Sequence, residues 1–340
     1  MIDTPLSSPL MQRGADFLGV QYPILCGAMT WVSNPSLVAA VANAGGFGCL
    51  AGGNTPTDIL LRQVEETRSL TDRPFGINFV TIAPAYKEQI AILDELRPKV
   101  VVFAGSFPRR EEVALAKDLG CTVLCFASTD SIAKRMLDYG ADGLILEGME
   151  AGGHVGHVTL TILLQQVLFA FPQVPIFVAG GIAHGRLCAH LLLMGASGVQ
   201  LGTRFAMAKE SCAHPAFKQK FIRAKARDAI STPQYDSRLP VVAVRALRNK
   251  AMDDFGRLQL ELLDRLDQRA ISREEAQLEV ERFWMGGLRK AVQDGDVDNG
   301  SLMAGQSVGL VNAETSVQEI IDEILTDTEA ELQRIRGLIG

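Results

Sequence analysis

Short, almost continuous apolar runs recur along the chain, each closed by turn glycines and followed by a stretch in which apolar residues return with helical spacing. They occupy residues 24–28, 47–52, 75–80, 100–105, 122–127, 143–148, 175–181 and 198–203. Their starts lie 23, 28, 25, 22, 21, 32 and 23 residues apart, and each interval holds an amphipathic segment such as 35–44, 56–69 or 131–139. Eight strand–helix units predict an α/β fold, a (β/α)8 TIM barrel, with a doubly wound open sheet as the competing architecture. Runs that are apolar at nearly every position, rather than alternating, suit strands covered on both faces.

The pattern changes after the eighth run. From residue 207 to about 300 the chain is richer in charge, with helical stretches at 252–265 and 273–284 and no further strand. A glycine-rich segment at 300–310 then precedes an acidic helix at 317–336. The expected organisation is a barrel built from residues 1–206 and 301–340, with a smaller, mainly helical substrate domain, 207–300, inserted after strand eight. The 300–310 segment is expected to return to the barrel mouth.

Composition narrows the function. With 47% hydrophobic and 21% charged residues over 340 positions, the chain has ample core material and too little charge for disorder. Thirty-three basic against 39 acidic side chains, a net charge of −6, leave no electrostatic footprint for nucleic acid or an anionic membrane. The first residues hold no secretory apolar core, and the apolar stretch 158–171 is broken by Gln165 and Gln166 well short of a membrane span. A cytoplasmic protein is expected, and its six scattered cysteines are expected to be reduced core thiols.

In such barrels the chemistry lies at the carboxyl ends of the strands, and the loops after the seventh and eighth commonly hold a phosphate. Here those loops carry Gly180-Gly181, followed by His184 and Gly185, and Gly202-Thr203. Glycines let backbone N–H groups approach phosphate oxygens, and the Thr203 hydroxyl adds a donor. The longest interval, after strand six, contains Glu147, Gly152, Gly153, His154 and His157. A histidine between glycines at that end is the best acid/base candidate, so His154 is singled out, whereas His157, His184 and His190 read as ordinary hydrogen-bonding histidines. The HxxH spacing of 154–157 lacks a third ligand nearby, and no metal site is expected. Residues 46–51 match a dinucleotide-binding glycine pattern by chance, since they follow a helix and lie within a strand. Glycines crowding the ends of strands one and two, with Asn78 on strand three, suit close backbone approach to a flat ring such as a flavin. Met29 and Trp31 fit either core or pocket wall.

The segments PILCGAMTWV, NAGGFGCLAGGNTP, SLTDRPFGIN, EGMEAGGHVG, VAGGIAHG, QLGTRFAMAKESCAHP and GDVDNGSLMAGQSVGLV, spread over residues 19–315, resemble a known set in order and spacing. The set is that of FMN-dependent enoyl-acyl-carrier-protein reductases of the FabK type, within the nitronate monooxygenase (2-nitropropane dioxygenase-like) superfamily. The resemblance implies FMN at the barrel mouth, its phosphate on Gly180, Gly181, Gly202 and Thr203. The ring would lie near Gly27, Ala28, Met29, Asn78, Met303, Ala304, Gly305 and Gln306, with Glu147, Gly152 and Gly153 among the cofactor contacts. It implies NAD(P)H as co-substrate, an enoyl thioester on acyl carrier protein or coenzyme A as acceptor, and a place in fatty-acid biosynthesis. A monovalent cation is an accessory without assigned ligands, and assembly as a homodimer is left open.

The implied catalytic residue is His154, a proton donor to the reduced enoyl thioester in the reductases and a base on the nitroalkane carbon in the monooxygenases. EGMEAGGHVG, TRFAMAKESCAHP and the run Cys125-Phe126-Ala127-Ser128, where many monooxygenases carry a lysine motif, favour the reductase. Around 235–246 the match is loose, retaining mainly Val244-Arg245-Ala246 and Asn249, which leaves acyl group and carrier open. The alternatives are a nitronate monooxygenase, a trans-acting enoyl reductase of a polyketide or polyunsaturated-lipid synthase, and a colourless phosphosugar-binding barrel.

Overall fold

Eight parallel strands close into a barrel in the computed structural model, which describes residues 5–53, 55–239 and 241–339. The predicted barrel ends at 1–4 and 340, Asn54 of the second motif and Pro240 of the loosely matching stretch lie outside the described residues. The first six strands are β1 (Ile24–Cys26), β2 (Phe47–Ala51), β3 (Phe75–Val80), β4 (Val100–Ala104), β5 (Thr122–Ala127) and β6 (Gly143–Glu147). After an outlying strand, β7 (Gly153–Val155), come β8 (Ile176–Ala179) and β9 (Gly198–Leu201), and β9 pairs with β1 to close the ring. All eight predicted runs supply barrel strands, and the fold is a (β/α)8 TIM barrel.

Strand parity explains why the runs are apolar throughout. Ile77, Phe79, Val101, Phe103, Val123 and Leu144 point outward to the helices, while Leu25, Phe47, Val100, Leu124, Ile145 and Phe177 fill the interior. Inward glycines mark close approaches: a Cβ at Gly76 would come within 2.9 Å of the Phe47 ring, and one at Gly198 within 2.2 Å of Pro23 O and 3.0 Å of the Phe177 ring. Above this apolar layer the inward side chains become polar at Asn78, Glu147 and Gln200, and these line the mouth. The amino end is capped by a helix absent from the sequence reading, Ser7–Leu18, whose Arg13 donates to Ser197 Oγ and Pro172 O, both at 2.8 Å.

The segment after β9 departs from expectation. It holds the long helices Lys250–Asp267 and Arg273–Val292, but also two strands, β10 (Ala229–Ser231) and β11 (Ala243–Leu247). With β7 they form an antiparallel sheet in the order β10-β11-β7. His154 therefore does not sit in a free loop; it lies on a strand, opposite Val244. β7 and β10 are three residues each, and β7 meets its partner some 90 residues along the chain, so local periodicity says little about these two. Val244 packs with Phe255, Val280 and Trp284 in a small core of the insert's own.

The glycine-rich segment does return to the mouth. Met303 bridges to Ala246, Gly305 N–H donates to Thr203 Oγ1 at 3.2 Å, and Gln306 N–H donates to Glu150 O at 2.9 Å. The last helix, Val317–Ile339, packs on helix Gly185–Leu193, where Thr328 Oγ1 donates to Gly185 O at 3.0 Å. Five cysteines are buried free thiols, but Cys212 is exposed and contacts Trp31 O, so it is not a core thiol. Among the described residues no helix is long and apolar enough to cross a membrane.

Arg245, on β11 opposite Gly153, is buried and donates to Met149 O at 3.0 Å and Ala229 O at 2.6 Å, tying the insert to the loop after β6. Arg245→Met keeps the apolar stem and removes both bonds. It should destabilise the protein by roughly 1.5–3 kcal/mol, seen as a lower urea midpoint at unchanged slope. An unchanged midpoint would show that this tie contributes nothing.

Candidate active site

A cavity of about 530 Å³ opens at the carboxyl ends of the barrel strands and runs under helix Arg273–Val292. Its walls bring together residues from every loop singled out in the sequence. Gly27, Ala28 and Met29 follow β1, Asn78 lies on β3, and Glu147 ends β6. Gly152, Gly153 and His154 come from the β7 segment, Gly180 and Gly181 from the turn after β8, and Gly202 and Thr203 from the turn after β9. Met303, Ala304 and Gly305 complete the wall, whereas Gln306 lies beyond it, its backbone engaged by Glu150.

The glycines divide into two kinds. Gly152 and Gly305 pack backbone against backbone: a Cβ on Gly152 would stand 2.5 Å from Ala304 C and Gly305 N. Gly181 and Gly202 are not backbone-packed in this way: a Cβ at Gly181 would meet Glu150 Cβ at 3.4 Å, an ordinary contact, and one at Gly202 only Met29 Sδ, at 3.9 Å. Gly180 and Gly181 take left-handed backbone, φ 97° and 72°. Thr203 begins a helical turn, so its N–H and those that follow lack intrahelical acceptors. The result is a cradle of backbone donors with room for a phosphate. No Lys or Arg lines it among the described residues.

The electrostatics of the mouth are set by burial. Asn78 Nδ2 donates to Val102 O at 3.2 Å, which orients its carboxamide oxygen. Burial pushes the Glu147 carboxyl up from 4.5 to about 8, so it is largely protonated near neutral pH. His154, with a side chain 25% exposed, places Nε2 3.2 Å from Glu281 Oε2. Burial pulls the His154 pKa down, but the charge and hydrogen bond of Glu281 reverse this and leave it above 6.5.

Glu281, Trp284, Met285 and Leu288 escaped the sequence reading, and all four line the cavity from one face of helix Arg273–Val292. The available signal was an acid beside Val280 and Trp284 on the apolar side of that helix. Trp284 is 1% exposed, and its Nε1 has no hydrogen-bond partner among the described residues. His157 lines the cavity as well. His184 and His190 lie elsewhere and pair with Asp327, at 3.7 Å, and Glu331, at 2.9 Å. Around His184, Glu323 and Asp327 form the one metal-compatible cluster among the described residues, but Glu323 already holds Arg204 through two hydrogen bonds.

The Glu147 assignment has a pH signature. A carboxyl whose folded pKa is raised from 4.5 to about 8 favours the folded state most when protonated, and that contribution is lost as pH rises between these values. Glu147→Gln cannot ionise. In urea unfolding of the cofactor-free protein, the stability of the variant relative to the parent should climb from pH 5 to pH 8 and then level off. Parallel stability profiles would place Glu147 in a well-solvated environment.

Comparisons with known proteins accord with this geometry. The family model described as nitronate monooxygenase matches residues 12–91 and 80–327. A Rhodococcus jostii enzyme named (3aS,4S,5R,7aS)-5-hydroxy-7a-methyl-1-oxo-octahydro-1H-indene-4-carboxyl-CoA dehydrogenase is 30% identical, covering 97% of this chain and 98% of its own. FabK from Thermotoga maritima superposes with TM-score 0.84 at 35% identity, covering 96% of this chain and 99% of that one. A nitroalkane oxidase from Streptomyces ansochromogenes superposes with TM-score 0.79 at 26% identity, covering 95% and 99%. The chain is an oxidoreductase that belongs to the nitronate monooxygenase family.

Proposed function

We propose that this protein is an FMN-dependent NAD(P)H oxidoreductase that reduces the carbon–carbon double bond of a 2-enoyl thioester carried by acyl carrier protein or coenzyme A. The observation that carries the reading is the extent of the site. Beyond Glu281 the main cavity adjoins a second space of about 400 Å³ between residues 81–87 and helix Arg273–Val292. The two share Ala83, Val241, Val242 and Glu281 as walls, and the second is lined by Ile82, Pro84, Tyr86 and Leu278 with Lys87, Glu274 and Gln277 among them. A long substrate arm suits this second space, which lies beyond the part of the main cavity that FMN would occupy, and a small nitroalkane would leave it unfilled. The names of the FabK and CoA-dehydrogenase relatives, both thioester-linked chemistries, point the same way.

The residues fit FMN. Gly181 and Gly202 leave the space a phosphate needs, Asn78 and Gln200 offer polar contacts to a ring, and Met29 and Ala179 offer apolar ones. FMN bound there supplies a two-electron relay between nicotinamide and substrate. The chain's own part is to exclude water and manage one proton. Overall, NAD(P)H delivers a hydride equivalent to the β-carbon, the π bond is lost, His154 gives a proton to the α-carbon, and NAD(P)⁺ and the saturated thioester leave. Solvent then reprotonates His154. The lid formed by Val241, Val242 and Trp284 keeps the developing charge in a water-poor space, where a positioned donor is most effective.

A second reading, oxidation of nitronates by oxygen, is favoured by the family model and would use His154 as a base. The two separate cleanly in solution. The first predicts NAD(P)H oxidation that depends on a 2-enoyl thioester; oxygen uptake with a nitroalkane in the absence of NAD(P)H would support the second and overturn the first.

The cofactor assignment has its own test. Heat-released supernatant should fluoresce as FMN. Gly202 has negative φ and open space at its Cβ position, so Gly202→Val should fold normally, by circular dichroism, yet lose most of its FMN. Full FMN content in that variant would move the phosphate away from this turn.

A further inference from the structure

Helix Arg273–Val292 belongs to the insert, yet one of its carboxylates reaches the barrel chemistry. Glu281 is 7% exposed, with Oε2 at 3.2 Å and Oε1 at 3.3 Å from His154 Nε2. It stands beside Val280 and Trp284 on the buried face of its helix, where an apolar side chain would pack without the cost of desolvating a charge. A buried acid at such a position calls for a partner, and His154 is the group that both oxygens approach. An ionised carboxylate only accepts hydrogen bonds, so Nε2 must carry the hydrogen between them. Among the described residues, Nε2 is the one ring nitrogen of His154 that is hydrogen-bonded, which leaves Nδ1 for the substrate.

We infer that Glu281 is the positioning residue that holds His154 Nε2–H and maintains the ring as an imidazolium, so that Nδ1–H is the proton delivered to the substrate. This rests on the thioester-reductase reading and deepens it. A carboxylate on Nε2–H stabilises the imidazolium, and Nδ1–H is then the proton available to the α-carbon of the reduced thioester. The register of the small sheet supports the pairing: His154 shares a face with Val244, and Val244 packs on the helix that carries Glu281. The proton donor is therefore assembled from both parts of the chain, β7 supplying the ring and the insert supplying its anion.

The other ionisable groups around His154 leave Glu281 as its direct partner. Arg245, from the adjacent strand, is spent on Met149 O and Ala229 O. Glu150, from the loop preceding β7, accepts from Leu160 N–H. Glu147, from the end of β6, is held largely neutral by burial. His157, three residues on, lines the same cavity without an ion pair to His154.

The test uses FMN-loaded protein with isotope-labelled histidine. Five histidines are present, and the signal missing from His154→Gln identifies the relevant one. In the parent, His154 should titrate above the ordinary histidine value. In Glu281→Gln it should lose its proton at a roughly 10- to 1,000-fold higher proton concentration. The alkaline limb of enoyl-thioester reduction should move with it. Glu281→Asp, which keeps the charge at shorter reach, should recover part of both shifts. A parent titration at or below the ordinary value, an unchanged titration in Glu281→Gln, or a shifted titration with an unmoved alkaline limb would each overturn the inference. Complete absence of enoyl-thioester reduction in the parent would instead remove the reductase reading, and the donor role with it, while the titration still reports whether the ion pair exists.

Discussion

One short antiparallel pairing, Gly153–Val155 against Ala243–Arg245, holds the candidate site together. A closed barrel leaves the carboxyl ends of its strands facing water, and whatever covers that face must be fixed to it in register. Here the ladder puts His154 opposite Val244 and Arg245 opposite Gly153, so one side of the sheet turns toward the insert and the other toward the loop after β6. Because side chains alternate along a strand, a slip of one residue would exchange these faces and carry His154 away from helix Arg273–Val292. The bonds from Arg245 to Met149 O and Ala229 O oppose such a slip, because another register would leave a buried guanidinium unpaired.

Beneath that cover the barrel interior changes character along its axis. Phe47 and Phe177, accommodated by Gly76 and Gly198, seal the lower part with rings, and Asn78, Glu147 and Gln200 ring the upper part. The buried Glu147 carboxyl holds its proton near neutral pH and can serve as a hydrogen-bond donor instead of adding a second negative charge to the cavity that His154 and Glu281 line. The mouth thus contains one neutral acid and one ion pair, with His157 on the same wall.

How much of this is legible in the sequence depends on the range of the interaction involved. The eight barrel strands show because each is a local apolar run with a turn glycine at its end, and Gly181 and Gly202 show because the barrel topology fixes which turns face the mouth. β10 and β7 are three residues each and acquire stability only from partners distant in sequence, so periodicity leaves no trace of them. β11 is different. The run at 241–247, Val-Val-Ala-Val-Arg-Ala-Leu, is rich in β-branched residues and by itself indicates a strand, but it is embedded in a charge-rich stretch dominated by helical periodicity. Glu281 was hidden for a related reason: its partner lies 127 residues away, and only the fold brings the two within hydrogen-bond reach.

This difference in range divides the site by function. The groups suited to hold a cofactor belong to barrel turns, where short local sequence specifies backbone geometry and the scaffold leaves little freedom. Glu281, Trp284, Val241 and Val242, which face the substrate side, come from the insert and meet the barrel only through long-range contacts. Relatives that share this architecture at 26–35% identity bear names as different as nitroalkane oxidase, FabK and a carboxyl-CoA dehydrogenase. The ring nitrogen of His154 that is left for a substrate is set by a group outside the barrel, because Glu281 on the insert holds the other one. The insert thus bears on the proton chemistry at His154 through helix Arg273–Val292, without touching a single cofactor turn.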